Sequence, residues 1–502
     1  MQSLWLDRPP SPFPAAEPDA DAEFDVVVVG AGLTGLTTAV LLARAGMSVA
    51  VIEARQIGAG TTGHSTAKVS VLQGTRLSTI RHRHSAAIAR QYVEANVEGQ
   101  QWLRRYCENH DIALQTRSAY TYAATTDGLD DARRELAATQ EAGLDTRWVS
   151  DTELPYQVLG AVELPDQYQI DPLDVLSGLA EDLVGRSGHL FAGQRVRAVR
   201  TGERVTVRTD SATVHAVTVV LATGVPIMDR GGFWARLQPM RSYAAAFQMA
   251  GPVPQGMYLS ADSPTRSIRS APRGAEELLL TGGNGHVVGR ADHPAAHVRD
   301  LIDWTTRRFP GAEPTHTWSA QDYHADHDLP FIGPLTPGHD QVLVATGFDK
   351  WGLTLGVASG LALSSRILGG RTEWANALET WSTREVSGAG PAIKANVSVG
   401  AEMVGGWARS LLSPRDERPP APGQGRVERH QVNPEAVCTV DGRTLRRSAV
   451  CTHLGGIVTW NDAELSWDCP LHGSRFAPDG SVLEGPATKD LPTRQEYGRE
   501  RP

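Results

Sequence analysis

At 502 residues, with 41% hydrophobic and 21% charged residues, the chain has an ordinary globular composition and is too long for one core, so two or three domains are expected. A net charge of −9 and a pI near 6.0 leave no basic stripe and argue against nucleic acid as a partner. Lysine occurs only at 68, 350, 394 and 489, against abundant arginine.

Residues 1–23 are an extension ahead of the first domain. Their text, MQSLWLDRPPSPFPAAEPDADAE, has neither a basic leader nor an apolar stretch, so no signal peptide is expected. The apolar run Val26 to Ala43 approaches membrane-span length. Gly30, Gly32 and Gly35 interrupt it, and a strand, a turn and a helix account for it better. No membrane span is expected. Four cysteines, two of them in metal-ligand spacing, do not make a disulfide scaffold, which suits a cytoplasmic location.

The segment FDVVVVGAGLTGLTTAVLLARAGMSVAVIE (24–53) is a βαβ unit. Val26–Val29 suits a strand buried on both faces. Gly30, Gly32 and Gly35 form GxGxxG, a helix follows to Gly46, and Ser48–Ile52 is the second strand, closing on Glu53. Glycines here let the backbone approach a pyrophosphate at a helix N-terminus, and Glu53 stands where a ribose hydroxyl is bound.

Next comes ARQIGAGTTGHSTAKVS, whose Thr61, Thr62 and His64 suit a loop along a bound dinucleotide. An amphipathic helix is expected over Ser85–Asn109, with Cys107 a packed thiol. Substrate-domain strands are expected at 114–122, 161–170 and 240–290. Within them, RSYAAAFQM (241–249) and ELLLTGGNGHVVG (277–289) are candidates to line a pocket. Strand Val217–Leu221 leads to Ala222-Thr223-Gly224. DLPFIGP then precedes VLVATGFDKWGLTLGVASGLALSSRIL (342–368), in which Gly347 and Gly352 frame a turn before a helix. These segments point to a flavin, and no second GxGxxG implies a nicotinamide domain.

Together these residues resemble the D-amino-acid oxidase/glycine oxidase superfamily of FAD-dependent oxidoreductases, over about residues 21 to 385. The resemblance implies an α/β FAD-binding (Rossmann-like) domain with an interleaved α+β substrate domain, spanning 24–385. It also implies a small-molecule substrate, an amine or amino acid. Lys350 would then sit near the flavin's pyrimidine side, where a cation stabilises the reduced flavin. Arg241 and Tyr243 could anchor a carboxylate, and a solvent-facing strand arginine is the other reading. His286 and His324 are candidate proton acceptors. His64 stands where dimethylglycine-dehydrogenase-like enzymes carry a histidine bonded to the flavin; attachment, plain contact and a loop role all stay open.

Residues 386–425 contain an expected helix, Ile393–Leu412, and a Pro/Gly-rich linker, SPRDERPPAPGQG (413–425). From 426 to 502 the text is strand-like. It holds Cys451-x-His453 and Cys469-x-x-His472, ligand types shared by zinc and iron–sulfur sites. Their surroundings, CTHLG and CPLHGSRF, resemble the ligand loops of Rieske [2Fe–2S] proteins and imply a small all-β domain. There the two cysteines bind one iron and the two histidines the other. Gly456 and Leu471 replace a disulfide of the cytochrome-complex members, and Phe476 replaces a tyrosine that donates toward the cluster. A potential in the lower part of the Rieske range follows.

The whole implies a dehydrogenase rather than an oxidase, with electrons leaving through the cluster to a one-electron acceptor. A redox-sensing or electron-transfer module with no metabolite is the second reading. Ligand histidines near the surface are expected, as is retention of flavin when Cys451 or His472 is replaced, because the two sites lie in different domains.

Overall fold

Val26, Val27 and Val28 are wholly buried, which requires cover on both faces of their strand, Glu23–Val29. The strand pairs in parallel with Val49–Ile52 on one side and Thr213–Leu221 on the other. The path then runs outward to His339–Thr346 and Phe331–Thr336, and on the far side to His189–Phe191, within an eight-stranded sheet. The computed structural model describes residues 1–9, 13, 16–274, 276–382, 385–413, 416, 418–431 and 433–493, with 385–395 described in backbone alone.

Helices Leu33–Arg44 and Gly352–Ile367 pack together on this sheet. Their close approach needs glycine: a side chain at Gly356 would meet Thr34 Oγ1 at 2.7 Å, and one at Gly360 would meet Thr37 Cγ2 at 2.8 Å. Helix Ala86–Asn109 is capped by Ser85, whose hydroxyl accepts from the Ile88 N–H. Cys107 lies in the core, and burial pushes its thiol up to about 12, as a packed thiol requires.

A second, nine-stranded sheet forms the substrate domain. Its long strands are Leu237–Met249, Glu276–Val287 and Ala312–Ala325, joined on the other side by Leu114–Ala123 and Gly160–Ile170. The N-terminal residues are part of this body. Trp5 is 2% exposed and donates to Ser65 O at 2.8 Å, while Ser3 Oγ donates to Gly63 O at 2.6 Å. They thus clamp the loop that carries Thr61, Thr62 and His64.

The C-terminal domain consists of two small antiparallel sheets. One holds Gly425–His430, Asn433–Val440 and Arg443–Ser448; the other holds Thr459–Asn461, Ser466–Asp468, Arg475–Phe476 and Val482–Glu484. Trp467 and Phe476 centre its core. The helix expected at 393–412 begins earlier, at Glu385, and belongs to this domain: Val399, Met403 and Trp407 pack on its core, and Trp407 Nε1 donates to Gly455 O at 3.1 Å.

Candidate active site and cluster site

The carboxyl ends of the parallel strands open on a crevice of about 220 Å³, lined among others by Gly30, Gly32, Glu53, Thr61, Thr62 and Gly224. Gly30 has φ 109°, and a side chain on it would lie 2.5 Å from Ala222 O; one on Gly35 would lie 2.0 Å from Gly30 O. Glycine is obligatory at both. The Leu33 N–H donates to Thr62 Oγ1 at 3.2 Å, drawing the Thr61–Thr62 loop over the helix N-terminus. Glu53 accepts from the Ala31 and Arg55 N–H groups, each at 2.9 Å, and each oxygen keeps a lone pair for a ribose hydroxyl.

Gly352 and Leu353 bring the N-terminus of a second helix to the opposite wall. Gly347 does not line the crevice. With φ 78° it turns the chain out of strand His339–Thr346, where a side chain would press on Ala325 and Leu237. Arg55 and Arg195 line the same space, a charge suited to a pyrophosphate. Burial holds Arg195 below its ordinary value. This cradle, closed to any Cβ at Gly30 and presenting two helix N-termini, fits FAD.

A second cavity of about 510 Å³ adjoins the crevice and shares Thr61, Ser65, Asp322, Lys350 and Leu353 with it. Met240, Ser242 and Ala244 form part of its wall. Lys350 (φ 74°) places Nζ 3.2 Å from where a side chain on Gly285 would start. Asp322 is raised by burial to about 6, against the pull of the Lys350 and Tyr323 N–H groups. Tyr243 also lines the cavity, but its hydroxyl is turned to His286 Nε2 at 3.1 Å.

Three candidates lie elsewhere. Residues 240, 242 and 244 take the cavity face of their strand, so alternation turns Arg241 the other way. Its guanidinium bonds Ser319 Oγ at 2.6 Å, Gln321 Oε1 at 2.8 Å and the carboxylate of Glu464 in the C-terminal domain. It is neither a solvent-facing arginine nor a cavity one. His286 stacks on His297, and His324 is paired with Asp349 at 3.0 Å; neither lines the cavity. His64 lines it without lining the crevice, and its Nδ1 faces Gly60 O at 2.9 Å.

The cysteine–histidine pairs sit on two loops of matching design. The Gly455 N–H donates to Cys451 O at 3.0 Å and the Gly473 N–H to Cys469 O at 3.1 Å, with φ 75° and 77° at the two glycines. The loops bring both thiols and both imidazoles together, the ring centroids of His453 and His472 being 5.1 Å apart. The Cys469 thiol lowers Cys451 by donating to it, and the same contact raises Cys469. Burial, helped by His453, pushes His472 down to about 3, so it is neutral as a ligand must be.

His453 Nδ1 and both ring nitrogens of His472 are buried with no hydrogen-bond partner among the described residues. Such orphaned nitrogens fit metal ligation. No three His, Cys, Asp or Glu side chains among the described residues converge on a single-ion site. A two-iron cluster makes no such demand, since two thiolates serve one iron and two imidazoles the other. Leu471 packs over Gly456, where a side chain would meet Leu471 Cδ1 at 2.5 Å, so apolar contact takes the place of the missing disulfide.

The ligand histidines are not at the surface. Each is 4% exposed and faces the flavin domain: His453 Nε2 meets Asp229 Oδ1 at 2.6 Å, and Trp234 packs edge-on to His472 with centroids 5.3 Å apart. The backbone interlocks as well. A side chain on Gly473 would strike Pro239 Cβ at 2.5 Å, and one on Gly289 would strike Pro470 N at 2.7 Å. Leu483, Glu484 and Gly485 complete a wall of the cofactor crevice itself. The two sites therefore lie in different domains without being separate, which removes the reason for expecting flavin binding to ignore the cluster domain. Arg55 follows Glu53 closely enough to have been read as a crevice residue; Arg195, Asp229, Trp234 and Leu483 carry no signal in sequence.

Residues 25–366 match the family model for the FAD dependent oxidoreductase (DAO) family, and residues 421–495 match that for the Rieske [2Fe-2S] domain. The chain belongs to the FAD-dependent oxidoreductase family, with a C-terminal Rieske domain. It binds FAD and a [2Fe-2S] cluster. A Bacillus subtilis (strain 168) protein carrying the name Rieske 2Fe-2S iron-sulfur protein YhfW is 31% identical, covering 95% of this chain and 94% of that one. The cytochrome b6-f complex iron-sulfur subunit of Bigelowiella natans is 50% identical over 54 residues, 10% of this chain and 21% of its own. In fold, glycine oxidase from Geobacillus kaustophilus is similar with a TM-score of 0.60 at 20% identity, covering 70% of this chain and 96% of its own. L-amino acid deaminase from Proteus vulgaris also gives 0.60, at 14% identity, covering 74% and 99%. Among the described residues no helix is long and apolar enough to cross a membrane.

Proposed function

We propose that the protein is a dehydrogenase that oxidises an amine or amino acid and passes the electrons through its cluster to a one-electron acceptor. One observation carries the reading. Gln321 lines the cofactor crevice, and its Nε2 donates at 2.8 Å to the carbonyl of Gly473, the residue after His472. A single side chain thus bridges the flavin site and the cluster loop. The flavin supplies hydride acceptance from a carbon bearing an amine, and the cluster supplies one-electron chemistry.

The chain's own residues orient and enclose. Gly30, Gly32, Gly35, Glu53, Thr61, Thr62, Gly224 and Gly352 hold the dinucleotide, while Cys451, His453, Cys469 and His472 hold the cluster. Lys350 and Tyr243 shape the substrate cavity, and Gly347 sets the turn that presents Lys350. The covered histidines have the flavin domain as their neighbour, which supports transfer within the chain. A built-in one-electron centre would be redundant in an oxidase.

Anaerobic bleaching of the flavin against a panel of amines and amino acids identifies the substrate. With it, reoxidation by oxygen should be slow, artificial one-electron acceptors should restore turnover, and Cys469→Ser should lose most of that rate. A variant as fast as the wild type with every acceptor removes the cluster from the route.

A further inference from the structure

The substrate cavity contains a buried cation that no acid neutralises. Lys68, on the short strand Lys68–Val69, is 8% exposed and lines the cavity beside Ser267 and Gly282. Its Nζ donates to Tyr258 O at 2.6 Å and to Ser267 Oγ at 2.7 Å. An ammonium has three N–H groups, so one remains. Behind it stands a second cation: Arg269, 1% exposed, donates to Thr66 O at 2.9 Å and Ala67 O at 2.7 Å, the two residues before Lys68.

Elsewhere in the cavity the charges are matched. Arg76 is paired with Asp349 at 2.6 Å and Asp328 at 3.2 Å. Neither Lys68 nor Arg269 makes an ion pair among the described residues, and the neighbouring charge that acts on Lys68 is Arg269 itself, which reinforces burial in lowering its affinity for a proton. A carbonyl and a hydroxyl satisfy hydrogen bonds but not charge, and an uncompensated buried ammonium is costly. Lysine is used at only four positions in 502 residues, and this one is spent inside the protein.

We infer that the cavity takes an anionic substrate, and that Lys68 is the residue on which its carboxylate or equivalent anion is seated. The remaining N–H points the missing counter-charge to the ligand, and the Ser267 hydroxyl stands beside it as a second polar contact. Arg241, the anchor suggested by sequence, is committed to Glu464. Lys350 is left to the flavin-facing end of the cavity, which it shares with the crevice.

This inference rests on the cavity being the substrate site, and its test is kept apart from turnover. Benzoate and benzamide are titrated into the FAD-loaded full-length protein and followed by the flavin absorbance change. The wild type should bind benzoate at least tenfold more tightly than benzamide. K68M should lose that preference, with its benzamide affinity within twofold of the wild type.

S267D places a carboxylate where the anion would sit, so it should block benzoate and spare benzamide, whether or not K68M folds. A wild type without preference overturns the inference. So does S267D binding benzoate normally, a folded K68M doing so, or equal loss of both ligands in either variant. If no amine or amino acid ever reduces the flavin, the proposed reaction fails while the benzoate preference still stands or falls on its own.

Discussion

Replacing Glu464 by glutamine tests the union of the two domains. The Glu464 carboxylate lies between Arg241 and Arg475, with the three side chains 14%, 1% and 9% exposed respectively. Burial alone would raise it, but the two guanidiniums hold it down from 4.5 to about 2. At about 1.36 kcal/mol per pH unit that difference is worth about 3 kcal/mol. It agrees with the roughly 3–5 kcal/mol lost when one partner of a buried pair is removed.

Because the folded value is depressed, this stabilisation is fully present above about 4.5 and is lost as pH falls toward about 2. Glu464→Gln should therefore show, at neutral pH, the loosened docking that the wild type shows only in acid. The undocked population should rise by about a hundredfold. Amide exchange at 237–249 and 464–476 reads it directly, together with thermal unfolding. FAD should also dissociate faster, since Leu483–Gly485 wall its crevice. Exchange and melting unchanged from the wild type, with no difference in acid sensitivity, would refute the account.

Asp229 accepts from His453 Nε2 and enriches a cluster ligand in electron density, which favours the oxidised cluster. Asp229→Asn should raise the midpoint potential in a titration followed by EPR; a lowered or unchanged value removes Asp229 from the tuning. His64 lines the substrate cavity but not the crevice, so its bond to the flavin is expected to be absent, and acid denaturation should release the yellow colour. Colour that stays with the precipitated protein shows the bond.

Local chemistry was legible wherever neighbours in sequence build the feature. GxGxxG needs glycine because Gly30 and Gly35 are pressed against backbone a few residues or one strand away, and the acid at Glu53 ends the next strand of the same unit. The Cys–His loops repeat one turn with glycine four residues after each cysteine. Ser85 marks its helix start by capping it.

What pairs across distance was not legible. The face that Arg241 takes depends on which alternate residues of Leu237–Met249 meet the cavity, and its partner lies 223 residues away. Lys68 becomes a buried, unmatched cation only when strands carrying Tyr258 and Ser267 close around it. In the same way, the histidines expected at the surface are covered because Asp229 and Trp234 reach them from another domain. Motifs record the bonds a short stretch makes with itself and with its ligand. Charge balance, burial and the contact between two cofactor sites belong to surfaces that meet only when the whole chain has folded.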